Sequence, residues 1–134
     1  MASVGTKDTG PEVRVRRLIH RMGYRFRLHD RRLPGRPDLA FAGRKQVIFV
    51  HGCFWHGHGC AKGRLPKSRL RYWAPKIEAN RRRDGRNVRE LRAAGWRAMV
   101  VWQCELKKEA QLVRRLVRFL DAAAAEGQKK KRRR

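Results

Sequence analysis

Gln46-Val47-Ile48-Phe49-Val50 runs straight into ten residues that packing alone does not explain, His51-Gly52-Cys53-Phe54-Trp55-His56-Gly57-His58-Gly59-Cys60. The first five are almost continuously apolar and rich in β-branched residues, the pattern of a central strand buried on both faces. The ten that follow hold three histidines, two cysteines, a Phe-Trp pair and three glycines. Cysteine with histidine points to a metal. The remaining histidines point to proton transfer or phosphate contact. Large aromatics between glycines present flat surfaces to a partner with flat faces.

The flanking sequence reads α-β-β-β-α-β-α. Thr9-Gly10-Pro11-Glu12 is a helix start in which Thr9 caps, Pro11 suits the first turn and Glu12 completes a capping box. Val13, Leu18, Ile19 and Met22 then form the expected apolar stripe of a helix over 10–22, which Gly23 ends. Residues 24–29 alternate like a half-buried strand. Leu33-Pro34-Gly35-Arg36-Pro37 turns the chain into a second short strand over 38–42, with Asp38 at its start. Residues 73–94 have helical composition, with Pro75 fitting near the start. Residues 97–103 form the next strand, with Cys104 just beyond it, and 105–125 the last helix, with Leu112, Leu116, Phe119 and Leu120 as its stripe. The order predicts a small mixed sheet with helices packed on it.

The 134 residues suit one domain. Lys and Arg number 36 against 11 Asp and Glu, a formal charge of +25. Nucleic acid is the first partner such a charge implies, and an anionic membrane surface the second. The terminal Lys129–Arg134 run accounts for only six of those charges, so the body is basic in its own right. No apolar run reaches the roughly 18 residues of a membrane span, and no signal peptide opens the chain. A soluble, intracellular protein is expected. Three cysteines, an odd count, argue against a disulfide framework.

All three cysteines enter one metal set. Cys53, His58 and Cys60 lie close together and Cys104 is distant, a Cys3His composition common in structural zinc sites. On spacing alone His56 or His51 fits in place of His58. Asp38 begins one strand and His51 ends the next. If those strands pair as a hairpin, a carboxylate, strand-end carbonyls and histidines share one end of the sheet, which suits Mg2+ and a general base. Joined to the charge, this points to phosphodiester hydrolysis.

Leu33-Pro34-Gly35-Arg36-Pro37-Asp38 and Val47-Ile48-Phe49-Val50-His51-Gly52-Cys53-Phe54-Trp55-His56 closely resemble the very-short-patch repair (Vsr) mismatch endonucleases. Trp73 with Asn80 and Asp84, and Gly95-Trp96-Arg97 leading to Val101-Trp102-Gln103-Cys104, extend the resemblance over about residues 9–106. It implies an α/β, restriction-endonuclease-like fold, with a mixed central sheet flanked by helices and a structural zinc site. It implies Mg2+-dependent nicking of one strand 5′ of the mispaired thymine in a T:G mismatch, the product of 5-methylcytosine deamination. Asp38 matches the magnesium-binding aspartate, and Val50 a position whose backbone carbonyl also binds magnesium. The best-known family member carries Thr at the position of Val50. His56 matches the proposed general base and Asp84 its orienting carboxylate. His51 matches a second active-site histidine, and Glu12 a supporting glutamate. Cys53, His58, Cys60 and Cys104 match the zinc ligands, which selects His58. Phe54, Trp55 and Trp73 match aromatics that wedge into the base stack, where a wobble pair is cheaper to unstack than a matched one. Trp96 and Trp102 read as core.

The expected organisation is a flexible arm over 1–8 (short beside the family's longer basic arm), an endonuclease domain over 9–126, and a disordered basic tail over 127–134. A monomer acting on double-stranded DNA in the bacterial cytoplasm, at the nucleoid and alongside mismatch-repair proteins, fits this reading. Two rival functions stay open: a non-catalytic, zinc-stabilised DNA-binding module, and a less specific nuclease of the same fold.

Overall fold

The computed structural model describes residues 10–53, 58 and 70–132. Its elements are α1 (Gly10–Arg21), β1 (Arg27–Leu28), β2 (Leu39–Phe41), β3 (Gln46–His51), α2 (Leu70–Ala93), β4 (Arg97–Trp102), a 3-10 segment (Gln103–Lys108) and α3 (Glu109–Arg132). The strands form one mixed sheet in the order β1-β2-β3-β4. The first three pair antiparallel and β3 pairs parallel with β4. A parallel pair needs a long crossover, and α2 supplies it.

Alternation along the strands divides the core in two. Leu39, Phe41, Ile48, Met99 and Val101 face one side, where they meet Val15, Leu18 and Ile19 of α1 and Leu112, Leu116 and Leu120 of α3. Ala40, Val47 and Phe49 face the other, under Leu91 of α2. The sheet is thus the middle of three layers. Gln46–Val50 is central, as its composition implies.

Several boundaries differ from the sequence reading. Val15, fully buried, carries the α1 stripe in place of Val13, which is half-buried. Together with Leu18 and Ile19 it makes the i, i+3, i+4 pattern of a helix face. The strand expected over 24–29 is reduced to Arg27–Leu28, because β2 offers few partners and His29 turns into a left-handed backbone at φ 47°. Helix α2 begins at Leu70, so Pro75 lies inside it. The segment after β4 opens as a 3-10 helix in which Glu105 Oε1 accepts the Trp102 N–H at 3.0 Å. Helix α3 continues to Arg132, beyond the expected end at 125. Alanine, lysine and arginine all favour helix, and cations near a helix C-terminus complement its dipole.

Candidate active site and metal centre

Antiparallel pairing sets Leu39 opposite Ile48. Asp38, one residue before β2, therefore comes level with the C-terminal half of β3. There its Oδ2 accepts the Val50 N–H at 2.6 Å, in place of the ladder bond that β2 no longer supplies. His29 follows from the same symmetry. Leu28 pairs with Leu39, and the His29 N–H donates to the Asp38 carbonyl at 3.3 Å. Glu12, from the first turn of α1, is buried at 3% exposure. Its carboxylate contacts the His29 Nε2, accepts from Arg16 Nη2 at 3.2 Å and meets the Asp38 carboxyl.

Ligand atoms of Glu12, His29 and Asp38 all lie within 4.8 Å of one another, a grouping able to hold a metal ion. Burial pushes the Asp38 carboxyl up from 3.8 to about 6. The Val50 N–H opposes that rise, and the neighbouring Glu12 charge adds to it. Two carboxylates brought together out of water are stabilised by a cation between them.

His51 ends β3 and is buried. Its Nδ1 is 4.0 Å from Asp84 Oδ2, carried by α2, so the described carboxylate–histidine approach is to His51. His56, to which the sequence reading assigned Asp84, lies outside the described residues, as do Phe54, Trp55 and Cys60. Trp73 is half-buried in the first turn of α2, edge-on to Tyr72 at 4.8 Å.

The second cluster follows from the parallel register. His51 stands opposite Trp102, and two residues further along each chain come Cys53 and Cys104. His58 joins them: its N–H donates to the Cys53 carbonyl at 2.9 Å, and its Nδ1 is 3.6 Å from Cys104 Sγ. The three residues form a second grouping able to hold a metal ion. Trp102 lies between the two sites. Its indole stacks on His58 at 4.2 Å and 17° and meets the His51 ring edge-on at 5.3 Å.

His29 is the site residue that sequence reading missed. Its signal was positional: it mirrors Asp38 across the Leu33–Pro37 turn. In the alternation of residues 24–29 it looked like one more outward polar side chain.

A mixed sheet between helices, with carboxylates converging at the end of its central hairpin, defines the restriction-endonuclease-like class of nuclease folds. The catalytic domain of homing endonuclease I-Bth0305I shares this fold, with a TM-score of 0.61 over 87% of this chain and 98% of that domain at 19% identity. The family model for the DNA mismatch endonuclease Vsr matches residues 1–62. The chain is 60% identical to the type II nicking enzyme V.XorIIP of Xanthomonas oryzae pv. oryzae, covering 90% of this chain and 89% of that protein. It is 41% identical to the DNA mismatch endonuclease Vsr of Escherichia coli K12, covering 84% and 72%. The chain belongs to the Vsr family of DNA mismatch endonucleases. Among the described residues, no helix is long and apolar enough to cross a membrane.

Proposed function

We propose that this protein is a Mg2+-dependent endonuclease that nicks one DNA strand 5′ of the mispaired thymine in a T:G mismatch left by 5-methylcytosine deamination. The observation that carries the reading is the convergence of Asp38 and Glu12 beside the end of β3, within a Vsr-family chain of charge +25. Asp38 and the Val50 carbonyl would hold the cation. In a strand, the N–H and C=O of one residue point to the same side. The Val50 N–H on Asp38 thus supports a Val50 carbonyl directed into the same pocket. Mg2+ accepts such oxygens and completes its shell with water and phosphate. When bound it supplies charge neutralisation at the phosphoryl group and a more acidic water.

The chain's own residues would do the rest. His56 is the proposed general base, and the approach of Asp84 to His51 supports a carboxylate that orients a histidine at this end of the sheet. Glu12 sits behind Asp38 as a supporting carboxylate. Phe54, Trp55 and Trp73 would unstack the mismatch, and the basic surface would hold the phosphates.

Cys53, His58, Cys60 and Cys104 would hold a structural Zn2+. With Zn–S near 2.3 Å and Zn–N near 2.1 Å, a tetrahedral ion sets sulfur and nitrogen roughly 3.6 Å apart. The Cys104 Sγ to His58 Nδ1 distance of 3.6 Å supports that assignment. A monomer acting at the bacterial nucleoid, with mismatch-repair proteins downstream, completes the proposal.

A strand-specific nicking assay tests it, using a labelled duplex with one T:G mismatch, its C:G twin, and Mg2+ or EDTA. Mg2+-dependent nicking beside the mispaired thymine, absent from the twin, is the expected result. Equal cutting of both duplexes would replace mismatch specificity with a general nuclease. Tight binding without cutting would leave a DNA-binding module.

A further inference from the structure

We infer that His29 is a direct ligand of the cation proposed at Asp38, beside Glu12, making this a mixed nitrogen–oxygen site in which the imidazole widens the preference for Mn2+ over Mg2+. The inference rests on the proposed cation site and adds a ligand to it.

Three observations carry it. The donor atoms of Glu12, His29 and Asp38 lie within 4.8 Å of one another. Opposite ligands of a six-coordinate ion with bonds near 2.1–2.2 Å stand roughly 4.3 Å apart, so one ion can reach all three. Next, the His29 ring is aimed inward. It is a partly buried side chain whose Nε2 faces the Glu12 carboxylate, although the residues before it, Arg27 and Leu28, are exposed. Finally, its backbone is tied to the metal-site residue itself, through the His29 N–H on the Asp38 carbonyl at 3.3 Å. The imidazole is therefore held in register with Asp38 by the sheet.

The chemical consequence follows from ligand type. Carboxylate, carbonyl and water oxygens suit Mg2+, whereas imidazole nitrogen favours first-row transition ions over it. Oxygen ligands alone already favour Mn2+ modestly, and one imidazole widens that margin. Mg2+ would remain the working ion wherever it is far more abundant, with Mn2+ effective at much lower concentration.

The rival is that His29 only hydrogen-bonds Glu12 and positions it. Loss of a positioning group weakens every cation alike, whereas loss of a nitrogen ligand weakens Mn2+ selectively. The experiment uses the full chain with zinc bound, and measures Mn2+ binding by the electron paramagnetic resonance signal of free Mn2+, with Mg2+ as competitor. Mn2+ does not favour the thiolate cluster. Wild type is expected to bind Mn2+ at least about tenfold more tightly than Mg2+. His29→Gln, which keeps a hydrogen-bonding side chain, is expected to lose about tenfold in Mn2+ affinity and under about threefold in Mg2+ affinity. Equal losses for both ions, or none, would overturn the inference. Electron spin-echo modulation on Mn2+ bound to wild type supplies a readout that needs no variant to fold. Nitrogen coupling is expected there and is expected to vanish in His29→Gln; its absence from wild type would overturn the assignment. Asp38→Asn separates the two levels. If it abolishes binding while His29→Gln changes nothing, the cation site stands and the role of His29 falls. If it changes nothing, the cation site itself is wrong and the inference goes with it.

Discussion

Asp38 Oδ2 accepts the Val50 N–H at 2.6 Å, so one carboxylate both closes the open end of the β2–β3 hairpin and faces the proposed cation. The two duties separate by mutation. Asp38→Asn keeps an acceptor for Val50, and Asp38→Ala leaves that N–H unmatched at a cost of about 1–3 kcal/mol. Both variants are expected to lose nicking by at least about 10³-fold, some 4 kcal/mol of transition-state stabilisation. Urea unfolding is expected to show the alanine variant less stable than the asparagine one. Equal stability would mean that the hydrogen bond contributes nothing.

Stability of the cation-free protein should fall as pH rises through the window set by Asp38. Its carboxyl is pushed up to about 6 from 3.8, by burial first. The folded chain therefore holds this proton where the unfolded chain has released it. Its stabilising effect is complete below about 4 and lost by about 6, amounting to about 3 kcal/mol. Asp38→Asn is expected to flatten that slope in denaturation curves taken between pH 4 and 7. Below about pH 6 protons compete for the ligand, so cation affinity should drop about tenfold per pH unit. A pH-independent affinity between 4.5 and 6 would sink the assignment.

The purified protein is expected to carry one equivalent of zinc by elemental analysis. Cys104→Ser should release it and lower Tm by about 10 °C, since binding to such a site is folding free energy. The contact of Trp102 with both rings, stacked on His58 and edge-on to His51, predicts that zinc loss also disturbs the active site. Full Tm without zinc would refute the structural role.

Gly35 tests the turn that leads into Asp38. Its φ is +78°, and a Cβ there would lie 2.8 Å from Asn87 Nδ2 and 3.0 Å from Asn87 Cβ. Gly35→Ala is expected to cost about 2–3 kcal/mol, part from the left-handed backbone and part from the contact. Adding Asn87→Ala removes the Nδ2 contact but keeps the Asn87 Cβ at 3.0 Å, so it should recover part of the contact cost and leave more than about 1 kcal/mol, the backbone share. Full recovery in the double variant would mean that backbone conformation plays no part.

DNA binding should weaken steeply with salt, because a chain of charge +25 binds largely by counterion release. With roughly six phosphate contacts, affinity should fall by about 10³ between 50 and 200 mM salt. A shallow slope in fluorescence anisotropy would shift the binding energy to the aromatic wedge.

The fold was legible where periodicity is local. The apolar run over 46–50 announced the central strand, and Leu112, Leu116 and Leu120 announced the helix against it. Val15 was overlooked because Arg14 and Arg16 on either side hid the α1 stripe. Asp38, Cys53 and Cys104 stood out because residues of those types rarely cluster without chemistry, whereas spacing left His51, His56 and His58 open as the metal histidine and only the family resemblance chose His58. Their partners were less readable. Asp84 lies beside His51, because α2 brings it there from more than 30 residues away in the chain, a meeting no local pattern encodes.

By itself the sequence determined the order of elements, the two-sided burial of β3, the charge that favours a polyanion and the residues available for metals and proton transfer. All of these follow from side-chain type and short-range spacing. The tertiary structure alone decided which of those residues meet. The register His51 opposite Trp102 brings Cys53 to Cys104, and Leu28 opposite Leu39 brings His29 to Asp38. Strand register depends on contacts made after the chain has folded back on itself, and a shift of one residue would have turned each of these side chains to the opposite face.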